Sequence, residues 1–409
     1  MRRSTRRKML IFVYYILAAV LIFFSYKSFR GGVDYLKYFR QELAKPPSIY
    51  TPLATIFAPC RGVDQGMLGN LDALLQQDYP DYEIVFILDD ENDEAAPLIE
   101  SAWREARRQV KLVVAPKATD SSQKVTNLRE GIPYADPASE VFAFVDSDAR
   151  PSQDWLRSLA APLADENVGA ATGYRWFISK NETFASEMRN MWNASIASAL
   201  GANRKTNFCW GGSAAIRREV FARLDIREEW QGTLSDDFTM TRVIRYAGLD
   251  IYFVPRALTP SVEDCTMREL VEFTTRQMKI TRVYSPHLWI MSFFGSGLFT
   301  IVMTASLLIM ILSAKNDVTV AAAMFTLLAV TVFSVGKSWL RMRGVMLVLE
   351  QYQFKLRRQM LPQMVFWSLA PFLFLYNSLA AWISRRVNWR GTTYEMVSAS
   401  ETRIHNRNP

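Results

Sequence analysis

Four long apolar stretches constrain this 409-residue chain more than any other feature. They cover residues 9–26, 288–314, 318–336 and 361–383, and each is close to or above the roughly 20 residues that an α-helix needs to cross a bilayer. Basic residues gather beside them, as in MRRSTRRK at one terminus and SRRVNWR near the other. Such flanks are typical of membrane proteins and account for much of the formal net charge of +8. We therefore expect an integral membrane protein without a nucleic-acid partner.

Each apolar stretch carries its own signal. No small-residue cleavage site follows 9–26, so we expect a membrane anchor rather than a signal peptide. A short polar turn separates 288–314 from 318–336, which predicts a helical hairpin. Pro371 lies in the middle of 361–383 and favours a kinked or re-entrant helix. The predicted parts are an anchor, a soluble domain, a hairpin, a basic cytosolic loop, a membrane or re-entrant helix and a basic tail, over 1–30, 31–287, 288–336, 337–360, 361–384 and 385–409.

The soluble segment alternates apolar runs with helical patterns. Strands are predicted over 53–59, 82–90, 110–116 and 140–148, and helical segments lie between them. This alternation is typical of βαβ units and predicts an α/β fold with a mainly parallel sheet flanked by helices. In such sheets ligands bind beyond the carboxyl ends of the strands, so residues that follow the strands are candidates for a site.

Two pairs of acids follow predicted strands. Asp89 and Asp90 begin the acidic loop DDENDE, where an ordinary polar strand terminus is the alternative to a binding site. Asp146 and Asp148 flank a single serine, and their repulsion must be offset by a bound cation or by a helix N-terminus after Pro151. Mg²⁺ takes one or two protein carboxylates together with phosphate oxygens. A site for a divalent cation and a phosphorylated ligand is therefore one interpretation of the second pair.

A third acidic pair, Asp236 and Asp237, follows Ser235 and opens a predicted helix that ends near Gly248. A helix N-cap explains one acid, and the second is a candidate general base that takes a proton from a hydroxyl group. Because the chain has only two histidines, carboxylates are the side chains expected to do acid–base chemistry. We take both acids as candidate catalytic residues.

An aromatic residue and two glycines come shortly before this pair, in NFCWGGSAAIRREVF (207–221). Trp210, Gly211 and Gly212 suit a wall against a sugar, since glycine permits close backbone approach. Ser213 is predicted to precede a helix, and a plain loop before that helix is the alternative interpretation of the glycines.

The basic segment 269–289 lies directly before the second apolar stretch. Arg276, Lys279 and Arg282 recur there at every third residue. Positive charge that flanks a membrane span explains them. A clamp on a diphosphate is the alternative, because arginine binds phosphate bidentately.

Taken in order along residues 49–289, these motifs resemble the inverting, membrane-bound glycosyltransferases of family 2, most closely the ceramide-glucosyltransferase-like branch, family 21. The resemblance is carried by PCRG, QQDYPDYEIVF, DDENDEA, QKVTNL, VDSDARP, GGSAAIRREVF, SDDFTMTRVIRYAG and RQMKITRVY, with WRGTTY at 389–394. It implies a GT-A-like, Rossmann-type domain. It also implies transfer of a sugar from a nucleotide sugar, a UDP-hexose, to a ceramide-like or other lipid hydroxyl, with inversion and with Mg²⁺ or Mn²⁺.

The resemblance also implies roles for individual residues. Binding of the donor falls to Pro59, Arg61, Asp89, Asp90, Lys124, Asn127, Asp146, Arg276, Gln277, Lys279 and Arg282. It assigns binding of the cation to Asp146 and Asp148, and catalysis to Asp237 and Asp236. Binding of the acceptor is assigned to Trp210, Gly211 and Gly212.

The chain departs from the family's (Q/R)xxRW element, since RQMKI has Lys279 for arginine and Ile280 for tryptophan. With few apolar stretches, this altered element favours a single transfer to a lipid over a processive polysaccharide synthase. A metal-dependent nucleotidyltransferase or phosphotransferase is another alternative, but it would lack the GGSAAIRREVF and SDD segments. A degenerate sugar-binding membrane protein would tolerate loss of Asp148 and Asp237, and both are present.

Topology follows from the donor. Nucleotide sugars are cytosolic, so residues 27–287 are expected to face the cytosol from the cell's inner membrane. Four spans would then place both basic termini outside, against the positive-inside rule. We therefore expect one or both of the stretches 9–26 and 361–383 to be re-entrant or interfacial.

Overall fold

The computed structural model describes residues 2–105, 108–312 and 318–407. Within these ranges a seven-stranded sheet has the order β3-β2-β1-β4-β6-β5-β7. All neighbouring strands are parallel except β6, which is antiparallel to both of its neighbours. The strands are β1 (Ala54–Pro59), β2 (Tyr82–Leu88), β3 (Gln109–Val114), β4 (Val141–Val145), β5 (Val168–Ile178), β6 (Ser213–Arg217) and β7 (Asp250–Val262).

Helices cover both faces of this sheet. For this reason β2 and β4 are buried along their whole length and read as unbroken apolar runs. The helices of this part are α1 (Arg2–Leu43), α2 (Met67–Leu75), α3 (Ala95–Glu105), α4 (Gln123–Gly131), α5 (Trp155–Ala160), α6 (Phe184–Ala197), α7 (Arg218–Arg223), α8 (Ile226–Glu229), α9 (Asp236–Tyr246) and α10 (Met267–Tyr284). The predicted fold class, a mainly parallel α/β sheet flanked by helices, is confirmed.

One local prediction is wrong. Ser213 begins strand β6 instead of preceding a helix, and the helix α7 starts only at Arg218. The segment Ser213–Arg217 pairs with β4 along its whole length and with β5 through Ala214 and Ala215. These backbone hydrogen bonds override the helical preference of its two alanines.

The remaining elements are α11 (Pro286–Leu312), α12 (Val318–Met346), α13 (Gln353–Val365), α14 (Ala370–Ile383) and a small antiparallel sheet of β8 (Arg386–Trp389), β9 (Thr392–Met396) and β10 (Thr402–Arg407). Within the described ranges, three helices are long and apolar enough to span a bilayer, namely α1, α11 and α12. The predicted hairpin turn at 313–317 lies outside the described residues. Residues 337–360, predicted as a basic loop, are mostly helical, because α12 continues to Met346 and α13 begins at Gln353.

The stretch around Pro371 is a broken helix. Helices α13 and α14 meet at an angle of 59°. Near the start of the pair, Gln359 donates to the carbonyl oxygen of Phe177 in β5. Beyond its end, the carbonyl oxygen of Arg386 accepts from Lys279 in α10. Both ends of the pair thus contact the α/β domain.

Candidate active site

A cleft of about 510 Å³ opens at the carboxyl ends of β1 and β4. Parallel strands direct their carboxyl ends to one edge of a sheet, which is where the predicted site residues were expected to meet. Those that line the cleft are Pro59, Arg61, Lys124, Asn127, Asp146, Asp148, Trp210, Asp236, Asp237, Arg276 and Gln277. The structure therefore brings the second and third acidic pairs into one cleft.

Two basic side chains meet the acids that follow β4. The Nη2 atom of Arg175 lies 2.9 Å from Asp146 Oδ2 and 2.8 Å from Asp148 Oδ1. The Nζ atom of Lys124, on α4, lies 2.8 Å from Asp146 Oδ1 and 3.3 Å from Asp236 Oδ1. The five side chains form a continuous network of alternating charge on the floor of the cleft.

Burial and charge act against each other in this network. Burial raises the pKa of Asp148 to about 6 in spite of Arg175. Burial also raises the pKa of Asp146, but Lys124 and Arg175 bring it below its ordinary value. Burial lowers the pKa of Lys124, and the carboxylates around it raise it overall. Lys124 therefore stays protonated and Asp146 stays ionised at neutral pH.

The third acidic pair lies in the first turn of α9. Ser235 is the N-cap, and its hydroxyl oxygen accepts from the amide of Phe238. Asp237 Oδ1 accepts from that amide at 2.7 Å and from the hydroxyl of Ser235. Within the described ranges, Asp237 Oδ2 accepts a single long hydrogen bond of 3.5 Å from the amide of Gly211. Asp237 thus lines the cleft with one oxygen held by the helix terminus and the other more weakly engaged.

The neighbouring Asp236 is more deeply buried than Asp237. Burial raises its pKa to about 6, against the effect of Lys124. Its position toward Lys124 makes it part of the charge network on the floor of the cleft.

The two glycines are required by close packing. A Cβ atom on Gly211 would collide with the carboxylate of Asp236, and one on Gly212 would collide with the indole of Trp210 and the carboxylate of Asp146. Both glycines are buried beneath the cleft, and neither lines it. Their function in the structure is to let Trp210 and the acids approach the backbone of this segment.

The acids after β2 occupy a different position. Asp89 is buried and lies 3.9 Å from Arg61 and 3.3 Å from Lys117. Asp90 is exposed and lies 3.3 Å from the same lysine. Neither side chain lines the cleft, and Arg61 connects Asp89 to its edge.

The three basic residues of α10 do not lie together at the cleft. Arg276 lines the cleft, stacks on Trp389 at 5.2 Å, and makes no hydrogen bond or ion pair within the described ranges. Lys279 and Arg282 lie outside the cleft and donate to backbone carbonyls of Arg386 and Ala381. A step of three residues turns a helix by about 300°, so side chains with this spacing move steadily around it. The structure therefore presents a single α10 guanidinium to the cleft instead of a clamp of three charges.

The carboxylates after β4 fit a divalent cation in part. Both face one cationic nitrogen of Arg175, so they converge on a single point, and two protein carboxylates suffice for Mg²⁺ when phosphate supplies further oxygens. In the described part of the chain, no group of three or more His, Cys, Asp or Glu side chains is placed to hold a metal. The residues present fit a cation that binds together with a phosphorylated ligand.

Residues 13–402 match the family described as Glycosyl transferase family 21. The chain belongs to this family. The match includes both the α/β domain and the apolar helices.

Curated relatives of this family 21 chain share part of its length. An N-acetylglucosaminyltransferase of Rhizobium leguminosarum bv. viciae is 25% identical over 229 residues, which cover 53% of this chain and 52% of the relative. An N-acetylglucosaminyltransferase of Rhizobium meliloti (strain 1021) is 24% identical over 243 residues, 56% of each chain. The chain thus spans about half the length of the curated relatives it matches.

A solved structure shows a distant likeness. The mannosyltransferase PcManGT from Pyrobaculum calidifontis, in complex with GDP-Man and Mn2+, is 17% identical and has a TM-score of 0.48. The comparison covers 83% of this chain and 99% of the mannosyltransferase.

Two cleft residues of the family 21 chain were missed at the level of sequence. Arg175 is in β5, within the run GYRWF, and an arginine between large aromatic residues in a buried strand is a signal that could have found it. Arg390 is in the WRGTTY segment that carried the resemblance, but no role was assigned to it. Both guanidinium groups reach the cleft from segments without a recognisable acidic motif.

Proposed function

We propose that this protein transfers a hexosyl group from a nucleotide sugar, a UDP-hexose, to the hydroxyl of a ceramide-like or other membrane lipid, with inversion at the anomeric carbon. The proposal rests on family membership and on one observation. Asp148 and Asp237 lie about ninety residues apart in the chain and line the same cleft.

The chemistry needs one displacement. The acceptor hydroxyl loses its proton to Asp237 Oδ2, and its oxygen forms a bond to the anomeric carbon. The bond from that carbon to the diphosphate oxygen breaks, and the nucleoside diphosphate leaves with the electron pair. Attack from the opposite face inverts the centre, and no covalent sugar–enzyme intermediate is needed.

The leaving group carries negative charge, and the cleft supplies positive charge. Arg276 has no acidic partner within the described ranges, and it lies near the guanidinium groups of Arg175 and Arg390. Asp146 and Asp148 would hold a divalent cation, which when bound neutralises charge on the diphosphate. Lys124 then orients Asp146 and Asp236.

The acceptor end of the cleft supports a lipid. Trp192, from α6, and Phe273, from α10, line the cleft. Trp192 stacks on Phe374 of α14 with ring centroids 5.1 Å apart. The apolar end of the cleft is therefore continuous with the broken helix pair, and α10 leads directly into α11, which is long and apolar enough to span a bilayer.

The position of the donor determines the orientation that we propose. Nucleotide sugars are cytosolic, so the α/β domain faces the cytosol from the cell's inner membrane. With three spans and a returning α13–α14 pair, the C-terminal sheet lies on the cytosolic side and the N-terminus on the other.

Mass spectrometry of membrane lipids tests the function. Cells that express the chain should contain a new hexosyl lipid, and cells that express Asp237→Asn should lack it while still binding donor. The matched control is Asp72→Asn, an exposed acid of α2 outside the cleft, which should leave the product unchanged. Because the curated relatives are N-acetylglucosaminyltransferases, the search should also include N-acetylhexosamine products. Normal product from Asp237→Asn would rule out this base.

A further inference from the structure

The C-terminal sheet reaches the cleft through a two-residue turn. Trp389 ends β8, Thr392 begins β9, and the two pair with each other across Arg390 and Gly391. Both turn residues have positive φ, +47° for Arg390 and +78° for Gly391. Tight hairpins of type I′ require positive φ at both positions and favour Asn-Gly there.

Arginine is an unfavourable choice at the first position of such a turn. A side chain with a Cβ atom strains the backbone in the left-handed region, and asparagine tolerates it best among non-glycine residues. Strain of this kind persists where surrounding contacts hold it, and it concentrates at functional sites. The identity of Arg390 therefore calls for a contact that asparagine could not make.

The contacts of Arg390 supply this explanation. Its guanidinium donates to the carbonyl oxygen of Arg61, and its Nη2 atom lies 2.7 Å from Asp64 Oδ1. Both partners belong to the loop between β1 and α2, residues 60–66, which borders the cleft. The C-terminal turn thus fixes this loop from outside.

Asp64 connects Arg390 to the segment that carries the two acids after β4. Its second oxygen accepts from the hydroxyl of Ser147, the residue between Asp146 and Asp148. Asn70 of α2 donates to the carbonyl oxygen of Ser147 at 3.0 Å. A chain of contacts therefore runs from Arg390 through Asp64 to the segment that carries both acids.

The same hairpin supports the other side of the cleft. Trp389 lies under the guanidinium of Arg276, and the hydroxyl of Tyr394 in β9 accepts from the amide of Gln123 at the start of α4. The C-terminal sheet is thereby attached to three walls of the cleft.

We propose that Arg390 is a positioning residue of the donor site, which holds the 60–66 loop and, through Asp64 and Ser147, sets the orientation of Asp146 and Asp148. The inference rests on the proposed function, because it assigns these acids to the donor and its cation. It extends that function by making the C-terminal turn part of the donor site.

The variant Arg390→Asn separates positioning from folding. It creates Asn-Gly, the preferred pair for this turn, so the melting temperature should stay the same or rise. The donor KM and the half-saturating Mn²⁺ concentration should each increase about tenfold or more, as is usual when support for metal-binding side chains is lost. The acceptor KM should not change. Arg390→Lys, which keeps the charge, should recover part of the loss.

A matched control comes from the same sheet. Arg403 in β10 pairs with Glu401 at 2.9 Å, is exposed, and lies outside the cleft. Arg403→Ala should leave all of these quantities unchanged. A large fall in the melting temperature of Arg390→Asn would overturn the inference, as would a stable Arg390→Asn protein with normal donor and Mn²⁺ dependence.

A measurement without substrate distinguishes this inference from the proposed function. Hydrogen–deuterium exchange in purified protein should become faster in peptides that cover 60–66 and 146–150 when Arg390 is replaced by asparagine. Faster exchange in a protein that transfers no sugar would refute the proposed function and support the positioning role of Arg390. Unchanged exchange in both peptides would overturn the positioning role itself.

Discussion

Two regions of the molecule bury charged groups in opposite ways. On the floor of the cleft, Asp146, Asp148 and Asp236 each lie within 3.3 Å of a lysine or arginine nitrogen. The seam where α6, α12 and α13 meet is formed by Glu187, Asn190, Arg341, Gln359 and Gln363, and it contains an acid and a base that do not pair with each other. Within the described ranges, Glu187 Oε2 and both amide atoms of Asn190 have no hydrogen-bond partner.

The two regions differ in whether their acids must remain ionised. A carboxylate that acts on a cation or a diphosphate must remain ionised. Lys124 and Arg175 bring the pKa of Asp146 below its ordinary value, and they oppose the effect of burial on Asp148 and Asp236, whose pKa values are about 6. In the described part of the chain the acid of the seam has no counterion, and burial raises the pKa of Glu187 to about 7. We infer that charge in the cleft serves ligand binding, whereas the charge of Glu187 lowers stability whenever that group ionises.

The largest effect should come from the cleft. Asp148→Asn keeps the shape of the side chain but removes one of the two charges that face Arg175. We expect transfer to fall by about 10²–10³-fold, since electrostatic support of the leaving group is lost. Release of UDP from UDP-sugars by membranes measures the effect, and EDTA should reduce the wild-type rate similarly. Release that is insensitive to EDTA would contradict the assignment of Asp148 to a cation.

The same contrast shows which features could be predicted from the sequence. The strands β1, β2 and β4 and the N-cap of α9 were predictable, because unbroken apolar runs and a serine before two acids are local signals. These features depend on residues close together in the chain. The meeting of Asp146 and Asp237 in one cleft was expected only from the family resemblance, because Asp237 opens a helix and does not follow a predicted strand.

Of the two counterions, Lys124 was predicted as a donor-binding residue, whereas Arg175 was missed. Arg175 reaches the acids from β5, which lies two strands away from β4 in the sheet order, and its aromatic neighbours in GYRWF are a weak local signal. Strand β6 was mistaken for a helix, since its alanines favour helix and only pairing with β4 and β5 makes it a strand. Lys279 and Arg282 fit a charge pattern along the chain, but the helical turn between residues of α10 places their side chains outside the cleft. Long-range packing decided all of these.

A smaller effect should come from the seam, and it should depend on pH. The pKa of Glu187 is about 7 in the folded protein against an ordinary 4.5, so the folded state holds the proton more tightly than the unfolded state. Stability is then greatest below about pH 4.5 and decreases as the pH rises toward 7, by on the order of 3 kcal/mol at most. Glu187→Gln should raise the melting temperature at pH 8 and change it little at pH 5.

The control for this variant is Glu228→Gln in α8, an exposed acid that should show no such difference between the two pH values. Equal shifts of the melting temperature for Glu187→Gln at pH 5 and pH 8 would mean that Glu187 is not protonated in the folded protein. The proposed difference between the seam and the cleft would then be wrong for the seam.

The smallest effect should come from the acid at the border of the cleft. Asp90 is exposed and lies 3.3 Å from the exposed Lys117, and such surface pairs contribute about 0–1 kcal/mol. Asp90→Asn should therefore change the donor KM by less than about fivefold. Asp89→Asn should have a larger effect, because that carboxylate is buried beside Arg61, which lines the cleft. Donor titrations of both variants measure the difference. If the donor KM rose equally in both variants, Asp90 would have to contact the donor, because an exposed carboxylate could not otherwise have so large an effect. The region in which paired acids serve donor binding would then extend past Arg61 to the surface.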